Sequence, residues 1–381
     1  MADLSDTTDA ERIIAGAGAG GRALREAITE IGVDRTASIL ADEVAFRCGL
    51  GRSMSDVLIE LVIGGNTTLL KFSAGERTTV ATPDAAPTVM RAEFDLVDLA
   101  AQLYGPRADR HATVGSTTLL APVRDADPKT GMPDWALLDS ASRACDQLLA
   151  ATSAARPDLG ALALDHESDK WGVLHRFGPH YDRHFAGLRQ EAVRVLEIGI
   201  GGYGFRPGGG SLTMWKRYFP RGVVYGMDIF DKSHADECRI QTIIGDQNDP
   251  ECLQRIAAEY GPFDIIIDDG SHVNEHIRTS FRELFRHVRP GGLYVIEDLW
   301  TAFAPGFGGT DTTESGAQTS LGLVKSLVDG LHYEESPKDG AGADVEVTGL
   351  HVYHNLAFIE RGTNAEGGIP PWVPRSIGDL V

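Results

Sequence analysis

The stretch from Arg194 to Asp298 decides the fold, and its two ends carry the clearest signals. It opens with Glu197-Ile198-Gly199-Ile200-Gly201-Gly202-Tyr203-Gly204, where an apolar run passes into a glycine-rich turn, and it closes with Tyr294-Val295-Ile296-Glu297-Asp298. Between these ends, short β-branched runs alternate with segments of helical periodicity, and acidic residues follow nearly every apolar run. This pattern is typical of a doubly wound α/β sheet that binds its ligands at the carboxyl ends of its strands.

The periodicity of the residues around this stretch predicts the rest of the α/β domain, which we expect to span 157–381. A segment rich in Gly and Thr, 302–320, is too polar for a core and is typical of a mobile lid. The predicted strands are 194–200, 223–229, 241–245, 263–268, 293–297, 345–349 and 351–359, and the predicted helices are 211–219, 250–260, 274–288 and 318–329.

The preceding residues, 1–156, predict a separate auxiliary domain of the α+β class without obvious chemistry. The Gly-Ala run at 15–21 lacks the Gly-Lys-Ser/Thr of a phosphate loop, so we interpret it as a flexible joint. Elements expected in this domain are two helices in 22–48, a hairpin over 57–72, and helices over 87–104 and 135–152.

Composition limits the classes of partner. The chain has 381 residues, 42% of them hydrophobic, so it can bury a sizeable core, and its formal net charge of −20 disfavours nucleic acid and anionic membranes. The four cysteines lack metal-site or disulfide spacing, and no signal peptide or membrane-spanning run is recognised. We therefore expect a cytoplasmic protein that binds a neutral or cationic small molecule.

The glycine turn matches GxGxxG through Gly199, Gly201 and Gly204, a pattern that by itself indicates a dinucleotide site only weakly. The next helix is predicted to begin several residues later, beyond 205–210, so its N-terminus would miss a pyrophosphate. Glu197 lies beside the turn, where a carboxylate repels a phosphate and attracts a cation. These features favour S-adenosylmethionine, which carries an ammonium and a sulfonium, over a nicotinamide dinucleotide.

Further acidic and polar residues at strand ends fit the same ligand. Asp228 follows the second strand, where its carboxylate can bind both ribose hydroxyls, and Asp246-Gln247 follows the third strand near the expected adenine. The predicted cofactor-binding set from the residues alone is therefore Glu197, Gly199, Asp228, Asp246, Gln247 and Asp268.

Four carboxylates end two further strands, as Asp268-Asp269 and Glu297-Asp298. If these strands are neighbours, about 4.8 Å apart, the acids converge and repel one another unless a cation lies between them. Mg²⁺ or Mn²⁺ suits ligands that are all hard oxygens. We predict Asp269, Glu297 and Asp298 as metal ligands, with Asp268 turned toward the cofactor.

His272 follows Asp269 by three residues and is predicted to lie beside the metal. An imidazole can accept a proton from an alcohol that Mg²⁺ has oriented and acidified, so His272 is the predicted general base. The plainer alternative is a helix N-terminal histidine without chemistry. His276 forms a His-x3-His pair with His272, which leaves a zinc site open, although hard oxygen ligands disfavour zinc.

With these motifs the chain resembles the metal-dependent sugar O-methyltransferases of macrolide and other polyketide antibiotic pathways, such as the mycinamicin and tylosin deoxy-sugar 2-O-methyltransferases and the rhamnosyl O-methyltransferases. The segments that carry the resemblance are Leu196–Gly199, Gly245–Gln247, Asp268–His272 and Ile296–Asp298, with Ser168-Asp169-Lys170 and His180-Tyr181 upstream.

The resemblance implies a class I, Rossmann-like methyltransferase domain after the auxiliary domain. It also implies Mg²⁺, His272 as base, and Ser168 and Lys170 in a segment that closes over the cofactor. Partners implied by the family are a glycosylated small-molecule substrate and further copies of the chain, as a dimer or tetramer in which a neighbouring N-terminal domain helps to form the substrate pocket.

Two other functions are weighed against this one. A catechol or phenolic acceptor would suit the same fold and metal, but a phenol needs little help from His272. A non-catalytic nucleotide-binding module is the alternative from another class, and it would leave the acids at the strand ends without a role.

Overall fold

The computed structural model describes residues 4–83, 86–106, 115–124, 134–152, 159–171, 175, 177–202, 207–332, 334–335, 346–374 and 376. The chain forms two compact units. The first comprises 1–192, 213–223 and 234–241, and the second comprises 193–212, 224–233 and 242–381. The predicted domain boundary after residue 156 falls within 153–158, outside the described residues, and stays a prediction.

Twelve helices and twelve strands are found among the described residues. The helices are α1 Leu4–Ala19, α2 Gly21–Ile31, α3 Val33–Cys48, α4 Leu96–Tyr104, α5 Ala121–Arg124, α6 Trp135–Ala151, α7 Leu159–Asp165, α8 Gly178–Phe185, α9 Gly210–Tyr218, α10 Pro250–Tyr260, α11 Asn274–Leu284 and α12 Ser320–Gly330. The strands are β1 Val57–Ile63, β2 Asn66–Phe72, β3 Thr79–Ala81, β4 Thr88–Phe94, β5 Gly115–Leu119, β6 Arg194–Ile198, β7 Val223–Asp228, β8 Ile240–Ile244, β9 Phe263–Asp268, β10 Val288–Glu297, β11 Val347–Tyr353 and β12 Leu356–Arg361.

The first unit contains a five-stranded sheet in the order β3-β2-β1-β4-β5. Two of the predictions made for residues of this unit are wrong. Residues 88–94 form a strand, because β4 pairs in parallel with the buried strand β1. The helix begins only after Asp95, whose side chain accepts hydrogen bonds from the first turn of α4. The Gly-Ala run is helical to Ala19, since Gly16 lets α1 approach the backbone of Leu24, where an added Cβ would lie 3.0 Å from the Leu24 Cα.

The second sheet has seven strands in the order β11-β12-β10-β9-β6-β7-β8. Strand β9 is parallel to both β6 and β10, and β12 is antiparallel to β10 and to β11. Nearly every residue of the central strands β6 and β9 is buried, as expected for strands covered on both faces. The α/β sheet is therefore confirmed, but the terminal pair turns at 354–355 and not near residue 350 as predicted.

None of the described helices is both long enough and apolar enough to cross a membrane.

Candidate active site

The parallel register brings the ends of three strands to one edge of the sheet. Ile198 of β6 pairs with Asp268 of β9, and Asp268 pairs with Ile296 of β10. Asp269, which directly follows β9, and Glu297, the last residue of β10, therefore lie side by side. Successive residues of a strand point to opposite faces, so Asp268 and Asp269 point away from each other.

The predicted metal ligands meet in two overlapping groups around Asp269. Ligand atoms of Asp269, His272 and Asp298 lie within 4.8 Å of one another, and so do those of Glu197, Asp269 and Glu297. Glu197 and Glu297 are almost wholly buried. The carboxylates thus converge as the sequence predicted, although Glu197, expected at the cofactor, also belongs to the cluster.

A network of left-handed residues fixes the outer part of this cluster. His272 Nε2 lies 3.5 Å from Asp298 Oδ2, and Asn355 donates a hydrogen bond of 2.8 Å from Nδ2 to Asp298 Oδ1. Asn355 Oδ1 accepts in turn from the backbone N–H of Trp300. His272, Asp298 and Asn355 have φ angles of 57°, 55° and 69°, a conformation that non-glycine residues adopt infrequently.

Asp268 lies on the opposite side of β9, inside the core. Its carboxylate accepts hydrogen bonds from the Ser280 hydroxyl, the Tyr294 hydroxyl and Gln247 Nε2. Burial raises the pKa of the Asp268 carboxyl to about 6, and these donors and the charge of His272 oppose the rise. Asp268 therefore links β9 to the neighbouring elements through hydrogen bonds. Its contact with a cofactor stays a prediction.

The glycine turn after β6 packs tightly on the loop that carries Asp269. Gly199 has a φ of 87°, and a Cβ built there would lie 2.1 Å from the Asp269 carbonyl oxygen. In return, the backbone N–H of Asp269 donates to the carbonyl of Ile198. Helix α9 begins at Gly210, well beyond the turn, as the argument against a dinucleotide requires. Gly204 lies outside the described residues.

Two acids flank this turn at the ends of β6 and β7. Glu197 Oε2 accepts a hydrogen bond of 2.7 Å from the Ser211 hydroxyl, in the first turn of α9. Asp228 accepts from the backbone N–H groups of Ile200 and Phe230, one on each carboxylate oxygen. Each carboxylate oxygen of Asp228 has a second lone pair that can accept from a ligand.

Asp246 and Gln247 follow β8 but differ in environment. Asp246 is exposed and accepts from the backbone N–H of Asn248. Gln247 is buried, and besides its bond to Asp268 its Oε1 accepts from the backbone N–H of Ser271. Gln247 thereby links Asp268 to the turn that contains His272.

Ser168 and Lys170, the other predicted cofactor contacts, lie in the first unit. Both are buried, and the carbonyl of Lys170 accepts from the backbone N–H of Phe177. Their cofactor role stays a prediction. The zinc alternative gains no support among the described residues, because His276 Nδ1 lies 2.9 Å from the Ser271 hydroxyl and joins neither cluster of possible ligands.

The sequence reasoning missed Asn355 and also Asn274. Asn274 Nδ2 donates to the carbonyls of Thr301 and Phe307, and its Oδ1 accepts from the backbone N–H of Ser320. One buried amide therefore holds both ends of the predicted lid segment. The available signal was its position, six residues after Asp268 at the start of α11.

These features define a class I methyltransferase domain. They are a Rossmann-like sheet with a final antiparallel pair, a glycine turn after its first strand, and acids at successive strand ends. Comparison with known proteins narrows this class. The family model described as "MycE methyltransferase N-terminal" matches residues 10–115. Demethylmacrocin O-methyltransferase of Streptomyces fradiae is 50% identical over 391 residues, covering 100% of this chain and 98% of the relative.

Two further comparisons point to the same family. Mycinamicin VI 2''-O-methyltransferase of Micromonospora griseorubida is 45% identical and covers 99% of this chain and 96% of its own. The structure of the MycE methyltransferase in complex with Mg, SAH and mycinamycin VI superimposes with a TM-score of 0.87 at 43% identity, covering 100% of this chain and 99% of MycE.

The chain belongs to the family of macrolide and polyketide sugar O-methyltransferases and is itself an O-methyltransferase. The predicted resemblance, fold class and enzyme class are thereby confirmed. The predicted cofactors, adenosylmethionine and Mg²⁺, correspond to the SAH and Mg of the solved relatives.

Proposed function

We propose that this enzyme transfers the methyl group of S-adenosylmethionine to a sugar hydroxyl of a glycosylated macrolide or polyketide. Asp269, Glu297 and Asp298 hold Mg²⁺ in this proposal, and His272 is the general base. The observation that carries it is the convergence of these side chains at the ends of β9 and β10, with ligand atoms within 4.8 Å in each of two groups that share Asp269.

The donor set fits a hard divalent ion. Ligands of an octahedral Mg²⁺ at about 2.1 Å lie roughly 3 to 4 Å from one another, so the atoms of either group, which lie within 4.8 Å of one another, need only small movements to bind one ion. Carboxylate oxygens dominate the set, which favours Mg²⁺ or Mn²⁺ over zinc. A cation bound there supplies positive charge that orients a hydroxyl and makes its proton more acidic.

In this proposal His272 accepts the proton of that hydroxyl. The Asp298 carboxylate lies 3.5 Å from His272 Nε2, so the ring is beside the acids that bind the metal in this proposal. As the oxygen bonds to the methyl carbon, the carbon–sulfur bond of the donor breaks and leaves a neutral thioether. Such a transfer depends on an in-line approach, so positioning by the surrounding residues matters as much as the base.

The acids around the glycine turn suit a cationic donor. Glu197 and Asp228 place negative charge on both sides of Gly199, while Asp246 is exposed where an adenine would lie on this hypothesis. A dinucleotide pyrophosphate would meet carboxylates in place of a helix N-terminus.

The class of acceptor rests on the relatives. Their names describe methylation of demethylmacrocin, mycinamicin VI and rhamnosyl-tetracenomycin derivatives, and two of those names specify 2''- and 3'-hydroxyl positions. We therefore propose a sugar hydroxyl as the acceptor here.

Mass spectrometry of glycosylated macrolides and their matched aglycones, after incubation with adenosylmethionine and Mg²⁺, tests the proposal. We expect one added methyl on the sugar fragment, none on the aglycones, loss of activity in EDTA and recovery with Mg²⁺. Full activity in EDTA, or methylation of a phenolic aglycone instead, would contradict it.

A matched pair of variants isolates the base. His272→Asn tolerates the left-handed backbone and cannot accept the proton, so turnover should fall by about 10²- to 10⁴-fold while adenosylhomocysteine binding persists. His276→Asn changes a nearby histidine, in the first turn of α11, and should keep most activity. An equal loss of turnover in both variants would contradict the assignment of His272 as the general base.

We also propose that the enzyme is a cytoplasmic homo-oligomer, a dimer or a tetramer, in keeping with its family resemblance. Sedimentation equilibrium measures this directly, and a monomer at micromolar concentration with full activity would contradict the oligomer.

A further inference from the structure

The first unit contains a cavity of about 750 Å³, and none of the predicted site residues lines it. It lies between the residues that follow α3 and helices α6 and α7, with one side chain from the end of α9. Its charged lining is dominated by arginines: Arg47, Arg52, Arg77, Arg143 and Arg217.

The charge of this cavity is opposite to that of the protein. Five guanidinium groups against the carboxylates of Asp146 and Asp165 give the lining residues a formal net charge of +3, before the pairing of Arg47 and Arg143 with acids outside the lining is counted, whereas the whole chain carries −20. A local reversal of sign in a concave site concentrates anions there.

Two of the five arginines are committed to structural pairs. Arg47 Nε lies 2.6 Å from Glu43 Oε1, and Arg143 Nε lies 2.7 Å from Asp139 Oδ2. Among the described residues, neither Arg52 nor Arg217 pairs with a carboxylate. These two guanidinium groups and that of Arg77 supply the positive charge available to a ligand.

Arg77 bonds to a histidine where an acid would be expected. Its Nη2 lies 2.7 Å from His166 Nδ1, and because arginine can only donate, His166 accepts at Nδ1 and carries its proton at Nε2. His166 stacks on Phe46, with ring centroids 6.0 Å apart. The site thus offers a further neutral N–H donor beside an aromatic surface.

Burial, and after it positive neighbours, lower two pKa values in the lining. Burial and the nearby charge of Arg47 together lower the pKa of the Arg217 guanidinium to about 10. Burial also lowers the pKa of His166 to about 3, with contributions from Arg77 and Arg217. An anion among these groups would relieve the repulsion.

We propose that this cavity binds a small organic phosphate, with Arg52, Arg77 and Arg217 as its phosphate ligands. Guanidinium groups bind phosphate through paired N–H donors, which accounts for the arginines. The organic part follows from size and lining: the volume falls in the range typical of organic ligands, and Phe46, Ala150 and Leu162 provide apolar wall.

Calorimetry of the full chain tests this, with saturating adenosylhomocysteine to occupy the donor site and EDTA to exclude metal-mediated phosphate binding. The probes are adenosine diphosphate, pyrophosphate and adenosine. We expect one site for the diphosphate nucleotide, weaker binding of pyrophosphate and none of adenosine. Equal affinities for pyrophosphate and the nucleotide would overturn the organic assignment.

Variants locate the site. Arg217→Gln and Arg77→Gln should each weaken nucleotide binding by about ten- to a hundredfold, the worth of one or two charge-assisted hydrogen bonds. Arg25→Gln, an exposed arginine of α2 in the same unit, is the matched control and should not change it. Arg77 is exposed, so its variant should fold even if Arg217→Gln does not. No binding at millimolar nucleotide, or equal weakening by all three variants, would overturn the proposal.

Discussion

Asn355 should control how tightly the active site holds its metal, although it is not a ligand itself. Its amide donates a hydrogen bond of 2.8 Å to Asp298, whose side chain is almost buried, and it ties that carboxylate to the backbone of Trp300. Asn355→Gly removes the amide. Glycine accepts the φ of 69° without strain, so the turn itself should persist.

The magnitude follows from the bond that is lost. A hydrogen bond to a charged group contributes about 1.5 to 3 kcal/mol net, and about 1.4 kcal/mol corresponds to a factor of ten in affinity. Without the hydrogen bond from Asn355, the Asp298 side chain can adopt other rotamers, and metal binding must then restrict it to one. We therefore expect the dissociation constant for Mn²⁺ to rise by about 10- to 100-fold, in the range found for groups that orient metal ligands.

Titration of Mn²⁺ followed by electron paramagnetic resonance measures this constant directly, and calorimetry of adenosylhomocysteine serves as the control. Excess Mg²⁺ should restore most of kcat, since a positioning residue changes the metal requirement more than the chemical step. Asn364→Gly removes an amide from another loop of the same unit and should leave Mn²⁺ affinity unchanged. Wild-type affinity in Asn355→Gly would refute the reasoning.

Three further changes test other parts of the structure. Asp269→Asn removes the carboxylate that both groups share, so Mn²⁺ affinity should fall at least 100-fold while adenosylhomocysteine still binds, and retained Mg²⁺-dependent turnover would contradict the assignment. Gly199→Ala places a methyl 2.1 Å from the Asp269 carbonyl oxygen at a φ of 87°, and the loss of stability in urea should exceed about 2 kcal/mol. Glu43→Gln leaves the buried Arg239 and Arg47 without their carboxylate, and unfolding free energy should fall by about 3 to 5 kcal/mol. Burial opposes ionisation of Glu43, but Arg239 and Arg47 hold its pKa at about 2, below the ordinary value of 4.5. The contribution of Glu43 to the unfolding free energy is therefore complete above pH 4.5 and declines as the pH falls toward 2. This decline should be absent from the pH profile of the Gln variant.

The sequence was sufficient for the part of the sheet that carries the site, because β7, β9 and β10 are largely apolar runs that each end in an acid. The register of β6, β9 and β10 then follows from parallel pairing, and the convergence of Asp269 with Glu297 follows from that register. The alternation of side chains along β9 also explains why Asp268 points into the core, a consequence that the sequence argument did not draw.

The first unit was harder to predict because tertiary pairing overrides local periodicity there. Val89 and Phe94 fit a helical face as well as a strand, and only the parallel partner β1 selects the strand. Likewise, the Gly-Ala run at 15–21 has the composition of a joint, but small residues also permit close helix packing. Gly16 against Leu24 shows the second use.

Asn355 was missed for a different reason. The terminal strand pair was expected to turn near residue 350, which placed Asn355 within a strand and gave it no special position. In the structure it follows the end of β11 in a left-handed conformation, at the turn beside the end of β10. An asparagine is one of the few residues that adopts this backbone readily, so the signal was present in its type.

The location of the left-handed residues supports the assignment of the site. Each non-glycine residue in this conformation costs about 1 kcal/mol, so a fold keeps such residues where other interactions require them. Of the five found among the described residues, three are His272, Asp298 and Asn355, which come from three separate turns. The contact of His272 with Asp298 and the bond of Asn355 to the same carboxylate depend on these backbone conformations. Three turns thus adopt an unfavourable backbone conformation, and the side chains of all three meet at the Asp298 carboxylate. This indicates that the turns maintain the position of Asp298 rather than the stability of any one loop.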